Sequence, residues 1–185
     1  MSNCYIIHGS PATDEEPVSE YAGHFMPWLK RELDSRGIDT KIVLMPEPWK
    51  PQYDKYLKVF SKLDVNEDII LVGHSSGGTF LIRWLSELDV RIKKLVIVAP
   101  WIIAPKGDKF REAFYDFSIN EDIRNRVKEI VFFTSNNEEK DGKISLEILH
   151  NAIGGKIISL NNRGHYCIEE MESEEVPDLL KEIVD

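Results

Sequence analysis

The residue of this sequence best suited to chemistry is a serine between glycines. Ser75 lies in Gly73-His74-Ser75-Ser76-Gly77, a pentapeptide extended by Gly78. The apolar run Ile69 to Val72 precedes it, and the helix-like segment Thr79 to Leu85 follows it. In a strand, sharp turn and helix of this kind, the flanking glycines allow strand and helix to crowd the turn, so the serine hydroxyl protrudes. The pattern predicts that Ser75 is an exposed nucleophile rather than part of an ordinary glycine-rich turn.

A serine hydroxyl becomes a good nucleophile when a neighbouring base takes its proton, and histidine commonly supplies that base. The sequence contains five histidines, which are His8, His24, His74, His150 and His165. His165 follows the last predicted strand, where the histidine of a serine, acid and histidine site belongs in chain order. His74 adjoins Ser75 on the tight turn and is expected to point away from it and to pack the turn. The sequence therefore predicts His165 as the base.

An acid must orient the imidazole and stabilise its protonated form, and in this order of elements it follows the strand before the histidine strand. That position is the loop Thr134 to Gly142, which carries the carboxylates of Glu138, Glu139 and Asp141. Glu138 lies five residues beyond Phe133, a typical reach for this role. Glu138 is the preferred acid, with Glu139 and Asp141 as alternatives.

Acyl transfer also requires two backbone N–H donors for the developing oxyanion. The residue after the nucleophile, Ser76, provides one donor, and the loop after the first strand provides the other. In His8-Gly9-Ser10-Pro11 the second donor is predicted to be the Ser10 amide, because proline has no N–H.

Six short apolar runs predict the strands that position these residues. The runs are Cys4 to Ile7, Lys41 to Leu44, Ile69 to Val72, Leu95 to Val98, Ile130 to Phe133, and Lys156 to Leu160. Continuous hydrophobicity indicates strands covered on both faces, as in a parallel sheet between helices. The predicted helices are Tyr21 to Arg36 (which includes His24), Tyr53 to Leu63, Gly78 to Leu88, Ser145 to Ile153, and Pro177 to Val184. This alternation predicts one α/β domain over residues 1–185, a three-layer sandwich with helices on both faces of the sheet.

An aromatic segment, residues 101–120, separates the fourth and fifth strands. Because open α/β sheets bind ligands beyond the carboxyl ends of their strands, the segment is expected to form a small lid or pocket cover above Ser75. The candidate residues for an apolar substrate pocket are Trp49, Trp101, Phe114, Tyr115 and Tyr166.

Charge and composition exclude several classes of partner. The chain has 185 residues with a net charge of −9 and a pI near 5.1, and it has no basic cluster, so nucleic acid is not an expected partner. The N-terminus lacks the features of a signal peptide and no run is long enough to span a membrane, which predicts a cytoplasmic protein without a membrane partner.

Neither a cofactor nor a metal is expected from the sequence. Cys4 and Cys167 are the only cysteines and are predicted to be reduced thiols. Cys167 is a poor candidate nucleophile, because it lacks a sharp turn like that of Ser75. No histidine and carboxylate pair shows ligand spacing on one helix face, and the glycines match no nucleotide-binding fingerprint.

Together, Ile69 to Gly77, Phe133-Thr134-Ser135 and Gly164-His165-Tyr166 give the chain a resemblance to a known family. It resembles the small serine hydrolases grouped with human retinoblastoma-binding protein nine and the bacterial YdeN-like proteins, over nearly its whole length. The resemblance implies a minimal α/β-hydrolase with a six-stranded parallel sheet of strand order 2-1-3-4-5-6. It also implies a nucleophile at Ser75 and a base at His165.

The sequence departs from the family pattern at two places. The family's aspartate falls on Glu138, whose extra methylene requires an adjusted loop unless Asp141 substitutes for it. The human member carries a leucine-x-cysteine-x-glutamate segment before the nucleophile strand, where this chain has Leu63-Asp64-Val65-Asn66-Glu67. Since Val65 replaces the cysteine, retinoblastoma-type binding is not expected.

The sequence thus predicts a serine hydrolase, a carboxylesterase or an amidase for small acyl substrates, that forms an acyl-enzyme on Ser75. The alternative is a binding protein that keeps the fold but has lost catalysis, since a fold alone does not establish activity.

Overall fold

The computed structural model describes residues 3–14 and 22–185, and this part of the chain contains a six-stranded sheet. The strands are β1 (Asn3–Ile7), β2 (Asp39–Val43), β3 (Ile70–His74), β4 (Ile92–Val98), β5 (Val127–Ser135) and β6 (Lys156–Leu160). Their order is β2-β1-β3-β4-β5-β6, and every neighbouring pair is parallel. The predicted α/β fold and strand order are confirmed.

Helices follow or join the strands on both sides of the sheet. They are α1 (Met26–Ser35), α2 (Tyr53–Phe60), α3 (Ser76–Glu87), α4 (Lys109–Tyr115), α5 (Ile123–Arg126), α6 (Lys140–Ile153) and α7 (Pro177–Val184). None of the helices in the described ranges is long and apolar enough to cross a bilayer.

Two helices begin more than one turn away from the predicted residue, and the helix predicted to end at Leu63 ends at Phe60. The helix predicted from Tyr21 begins at Met26, where Pro27 occupies one of the first two helical positions, and Tyr21 itself lies outside the described residues. His24, predicted to be helical, lies in a turn with a φ of +49°. The helix predicted from Ser145 begins at Lys140, which places Asp141 in the first turn of α6.

The sheet separates two apolar layers. One layer contains residues of α2, α3 and α6, such as Phe60, Phe80 and Leu149, packed on alternate strand positions such as Ile7. The other contains residues of α1 and α7 packed on the opposite strand faces. Burial of both faces is the physical reason for the continuous hydrophobicity of the central strands.

The strand order reverses direction between β1 and β3. In open α/β sheets, the loops leaving the two strands at such a point diverge to opposite faces and leave a crevice at the carboxyl edge. Ser10 lies in the loop after β1, and Ser75 comes immediately after β3. The sheet therefore places these two serines on the same crevice.

Candidate active site

Ser75 occupies a strained backbone position between β3 and α3. Its φ of 53° and ψ of −126° are unusual for a residue with a side chain. A Cβ atom on Gly73 would lie 2.5 Å from the Cα of Gly78, so strand and helix approach each other more closely than other residues would permit. This sharp turn directs the Ser75 hydroxyl away from the packed strand and helix, as the glycine pattern predicts.

His165 connects the Ser75 hydroxyl to a buried carboxylate. Its Nε2 lies 2.9 Å from Ser75 Oγ, and its Nδ1 lies 3.1 and 3.2 Å from the two carboxylate oxygens of Glu138. The Glu138 side chain is only 1% exposed. Because a carboxylate accepts hydrogen bonds, Nδ1 carries the imidazole proton and Nε2 accepts one from the serine hydroxyl. This arrangement can move a proton from Ser75 to His165 while Glu138 compensates the resulting charge.

The other two predicted acids lie elsewhere. Glu139 is the exposed residue before α6, and Asp141 is exposed in the first turn of that helix. Within the described residues, Glu138 is the carboxylate bonded to the His165 imidazole.

Hydrogen bonds between the two loops hold His165 in place. Asn137 Oδ1 accepts hydrogen bonds from the Gly164 amide, at 2.9 Å, and from the Ser135 hydroxyl. Ser135 Oγ in turn accepts one from the Arg163 amide, at 2.9 Å. Sequence reasoning missed these residues, although polar side chains directly after a buried strand are a signal for such loop contacts. They tie the loop that carries Glu138 to the loop that carries His165.

Two further side chains hold the backbone of His165. Glu170 Oε2 accepts a hydrogen bond from the His165 amide at 2.8 Å, a contact that the sequence did not suggest. His74 Nε2 donates to the His165 carbonyl at 2.8 Å. Burial, followed by the nearby His165, keeps the pKa of His74 well below its usual value, so the ring stays neutral. His74 therefore packs and supports the site, consistent with its predicted structural role.

The loop after β1 lies directly across from the nucleophile. A Cβ atom on Gly9 would be 3.0 Å from Ser75 Cβ, and the hydroxyls of Ser10 and Ser76 hydrogen-bond at 2.8 Å. Ser76 is the first residue of α3, and N–H groups in a first helical turn have no acceptor within the helix. The two predicted oxyanion donors thus lie on the two elements that border Ser75.

Buried His8 fixes the path of this loop. Its Nε2 accepts a hydrogen bond from the Met45 amide at 2.9 Å, so Nδ1 carries the proton and donates to the Gly9 carbonyl at 2.7 Å. Burial lowers the pKa of His8, which favours this neutral form.

Two of the predicted pocket residues line a cleft of about 610 Å³ that contains Ser75. The Trp101 ring packs edge-on against the His165 ring, with 5.1 Å between centroids, and Tyr115 approaches the Ser76 hydroxyl. Burial raises the pKa of the Tyr115 phenol, which therefore stays protonated. These aromatic residues belong to the segment predicted to cover the pocket.

The other three predicted pocket residues are not part of the cleft lining. Phe114 is 1% exposed and packs on Tyr56, on the core side of α4. Tyr166 is fully buried and donates to the Thr134 carbonyl at 2.7 Å. Trp49 contributes its carbonyl, as an acceptor for Arg111. Their aromatic character did not distinguish core packing from substrate contact.

Four charged residues line the same cleft, and of these the sequence analysis named only Glu139, as an alternative acid. They are Asp108, Arg111, Glu139 and Glu170. Arg111 donates to Asp108 and to the Pro11 carbonyl, each at 2.6 Å, and so connects α4 with the loop after β1. The cleft therefore combines an aromatic wall with a polar rim.

Comparison with known proteins finds one matching family model and a curated relative. The family model described as serine hydrolase matches residues 6–178. YdeN of Bacillus subtilis (strain 168) is 34% identical over 89 residues, which cover 47% of this chain and 43% of YdeN. The sequence match thus spans less than half the length of that curated relative.

Solved structures share the fold over the whole chain. The crystal structure of the ydeN gene product superposes with a TM-score of 0.85 at 22% identity, covering 100% of this chain and 97% of the other. Est1E from Butyrivibrio proteoclasticus with ferulic acid bound gives a TM-score of 0.69 at 16% identity, with coverage of 100% and 88%. The methylesterase MES16 from Arabidopsis gives 0.68 at 13% identity, with coverage of 100% and 98%. At these identities the likeness establishes the fold.

Proposed function

The chain belongs to the serine hydrolase family, and on that basis we propose that it is a carboxylesterase that forms an acyl-enzyme on Ser75. The observation that carries the proposal is the position of His165, bonded through one nitrogen to Ser75 and through the other to Glu138. Carboxylic esters with small acyl groups are the proposed substrates, and the corresponding amides are the alternative.

In the proposed reaction, His165 Nε2 takes the hydroxyl proton as Ser75 Oγ bonds to the substrate carbonyl carbon. The Ser76 and Ser10 amides stabilise the oxyanion, assisted by the positive end of the α3 dipole. The tetrahedral intermediate then collapses, and the leaving alcohol receives the proton from Nε2. Water repeats the sequence on the acyl-enzyme and releases the acid. Glu138 stays ionised and stabilises the imidazolium in both halves.

The proposed acyl pocket lies between Trp101 and Tyr115, because both line the cleft that contains Ser75. An aromatic wall favours a small apolar acyl group, while the open, polar rim accommodates varied alcohols. The methylesterase among the structural neighbours is consistent with an ester substrate.

The test is hydrolysis of p-nitrophenyl esters from acetate to octanoate beside the matched anilides. We expect turnover of the short esters, and Ser75→Ala should lower kcat by about four to six orders of magnitude. The exposed Ser61→Ala is the matched serine control and should keep the parent rate. Parent-like hydrolysis by Ser75→Ala would exclude the proposed nucleophile.

Labelling with a fluorophosphonate probe separates the esterase from a binding protein that has lost catalysis. An esterase with an activated serine should yield one adduct on Ser75, which peptide mass analysis locates. Folded protein that yields no adduct would favour the binding protein.

A further inference from the structure

We propose that His24, Cys167 and Glu169 form a binding site for a thiophilic divalent cation such as zinc, beside the candidate active site. One ligand atom from each residue lies within 4.8 Å of the other two. An imidazole nitrogen, a thiolate and a carboxylate are the three ligand types that zinc takes in proteins. Water would complete a four-coordinate site.

The local structure turns these groups towards one another. His24 lies in the turn before α1, and its Nδ1 accepts a hydrogen bond from the Ile168 amide at 3.0 Å. A lone pair of the ring therefore faces the segment in which Cys167 and Glu169 flank Ile168. An ion bound through Nδ1 would replace this amide as the partner of the nitrogen.

The required movement is small. Zinc bonds of about 2.0 to 2.3 Å at tetrahedral angles separate ligand atoms by roughly 3.5 Å. The ligand atoms, all within 4.8 Å of one another, are therefore little more than about 1 Å farther apart than that spacing. The thiolate and carboxylate together neutralise a divalent cation, and the chain's net charge of −9 attracts one.

The site shares a cleft of about 470 Å³ with Ser75 and His165. The His24 ring also contacts the His74 ring, with 5.9 Å between centroids. His74 in turn holds the His165 carbonyl. A hydrated ion at this position would occupy space through which a substrate approaches Ser75. We therefore assign zinc an inhibitory role, which rests on the proposed esterase function.

Cobalt binding tests the site independently of any catalysis. Titration of the full chain with Co²⁺ should produce the near-ultraviolet charge-transfer band of a thiolate ligand. Cys167→Ser should abolish the band, while His24→Ala and Glu169→Gln should each weaken binding about tenfold or more. Thermal unfolding would verify that each variant is folded.

The matched controls are Cys4→Ala, which removes the cysteine buried in β1, and Glu172→Gln, which removes a nearby exposed carboxylate. Both should keep the band. Absence of the band in the parent protein, or its persistence in Cys167→Ser, would overturn the proposed site.

Inhibition is measured separately, as hydrolysis of p-nitrophenyl acetate with and without Zn²⁺. Each variant is compared with its own zinc-free rate. Zinc should inhibit the parent reversibly, with recovery on addition of EDTA, and should inhibit the three ligand variants at least about tenfold less strongly. A thiolate band without zinc inhibition would overturn the regulatory role while supporting the site. A band in a protein that hydrolyses no ester would support the site and contradict the proposed function.

Discussion

A Cβ atom on Gly142 would lie 2.7 Å from the carboxyl carbon of Glu138, so the absence of a side chain at Gly142 leaves the space that the Glu138 carboxylate occupies. Gly142 belongs to the first turn of α6, directly after the loop that carries the acid. Glutamate is one methylene longer than the aspartate expected from the family resemblance. Because Gly142 has no side chain, the first turn of α6 leaves room for the longer Glu138 side chain, whose carboxylate hydrogen-bonds to His165.

Gly142 and Glu138 should behave as a coupled pair. Gly142→Ala would displace the carboxylate and Glu138→Asp would retract it, and we expect each change to lower kcat about 10- to 100-fold, the cost of misplacing an orienting group by about 1 Å. The double variant should recover part of that loss, because the shorter acid leaves room for the methyl group. A double-mutant cycle on p-nitrophenyl acetate hydrolysis measures the coupling.

The control for this cycle is Glu147→Ala, at an exposed position of the same helix, which should keep kcat unchanged. Losses that simply multiply in the double variant would show that the two positions act independently.

Glu138 should be the only carboxylate of its loop whose charge matters for turnover. Glu138→Gln removes the charge that stabilises protonated His165 and should lower kcat/KM by about four orders of magnitude. Glu139→Gln and Asp141→Asn are the matched variants, and both should stay within about threefold of the parent, since neither carboxylate bonds the imidazole. A large loss in either matched variant would reassign the acid.

Asn137 should act as a positioning residue for His165. Asn137→Ala removes the acceptor of the Gly164 amide, which should lower the free energy of unfolding by about 1 kcal/mol and kcat by about tenfold. Asn137→Asp keeps the acceptor and should restore most of the turnover. Denaturant unfolding and steady-state kinetics measure the two effects. Equal kcat values for the alanine and aspartate variants would leave Asn137 without a positioning role.

Acid should destabilise the fold through His74. Burial holds the pKa of His74 in the folded protein well below its ordinary value of 6.5. At a pH between the folded and the unfolded pKa, the unfolded chain therefore binds a proton at this residue that the folded chain does not bind. Stability is therefore lost as the pH falls through the unfolded value of about 6.5, and the loss grows as the pH is lowered towards 5. Urea unfolding at pH 7 and pH 5 measures the change.

His74→Gln is the matching variant, because its side-chain amide can still donate to the His165 carbonyl but does not titrate. Its stability should depend less steeply on pH than that of the parent. His8, whose pKa is also lowered by burial, contributes in the same direction and remains in both proteins. Identical pH dependence in the two proteins would contradict the assignment to His74.

The two aromatic side chains Trp101 and Phe114 should respond differently to truncation. Trp101 lines the cleft, so Trp101→Ala should change the preference for acyl length by about tenfold in kcat/KM. Phe114 is buried in the core, so Phe114→Ala should cost about 3 to 5 kcal/mol of stability and leave the acyl preference unchanged. Ester profiling and thermal unfolding distinguish the two outcomes. A changed acyl profile in a folded Phe114→Ala protein would place Phe114 at the substrate.

Local pattern was enough to predict α7 with its observed bounds, because periodic hydrophobicity reports directly on burial. It also predicted the bounds of β6, although none of the residues of this edge strand is fully buried. It failed at the start of α1, where residues 22–25 precede the helix instead of forming its first turn. It also failed for Tyr166, since an aromatic side chain packs equally well in a core and in a pocket.

By itself, the sequence predicted the six strands, five of the seven helices in the described residues and the sharp turn at Ser75, because these follow from short-range patterns. Chain order predicted His165 as the base. Only the tertiary structure decided that Glu138 is the carboxylate against His165, and that His24 meets Cys167 and Glu169. The physical reason is that the three-dimensional path of each loop determines which loop side chains come into contact. Contacts between separate segments, such as the Asn137 to Gly164 hydrogen bond and the space left at Gly142, set those paths.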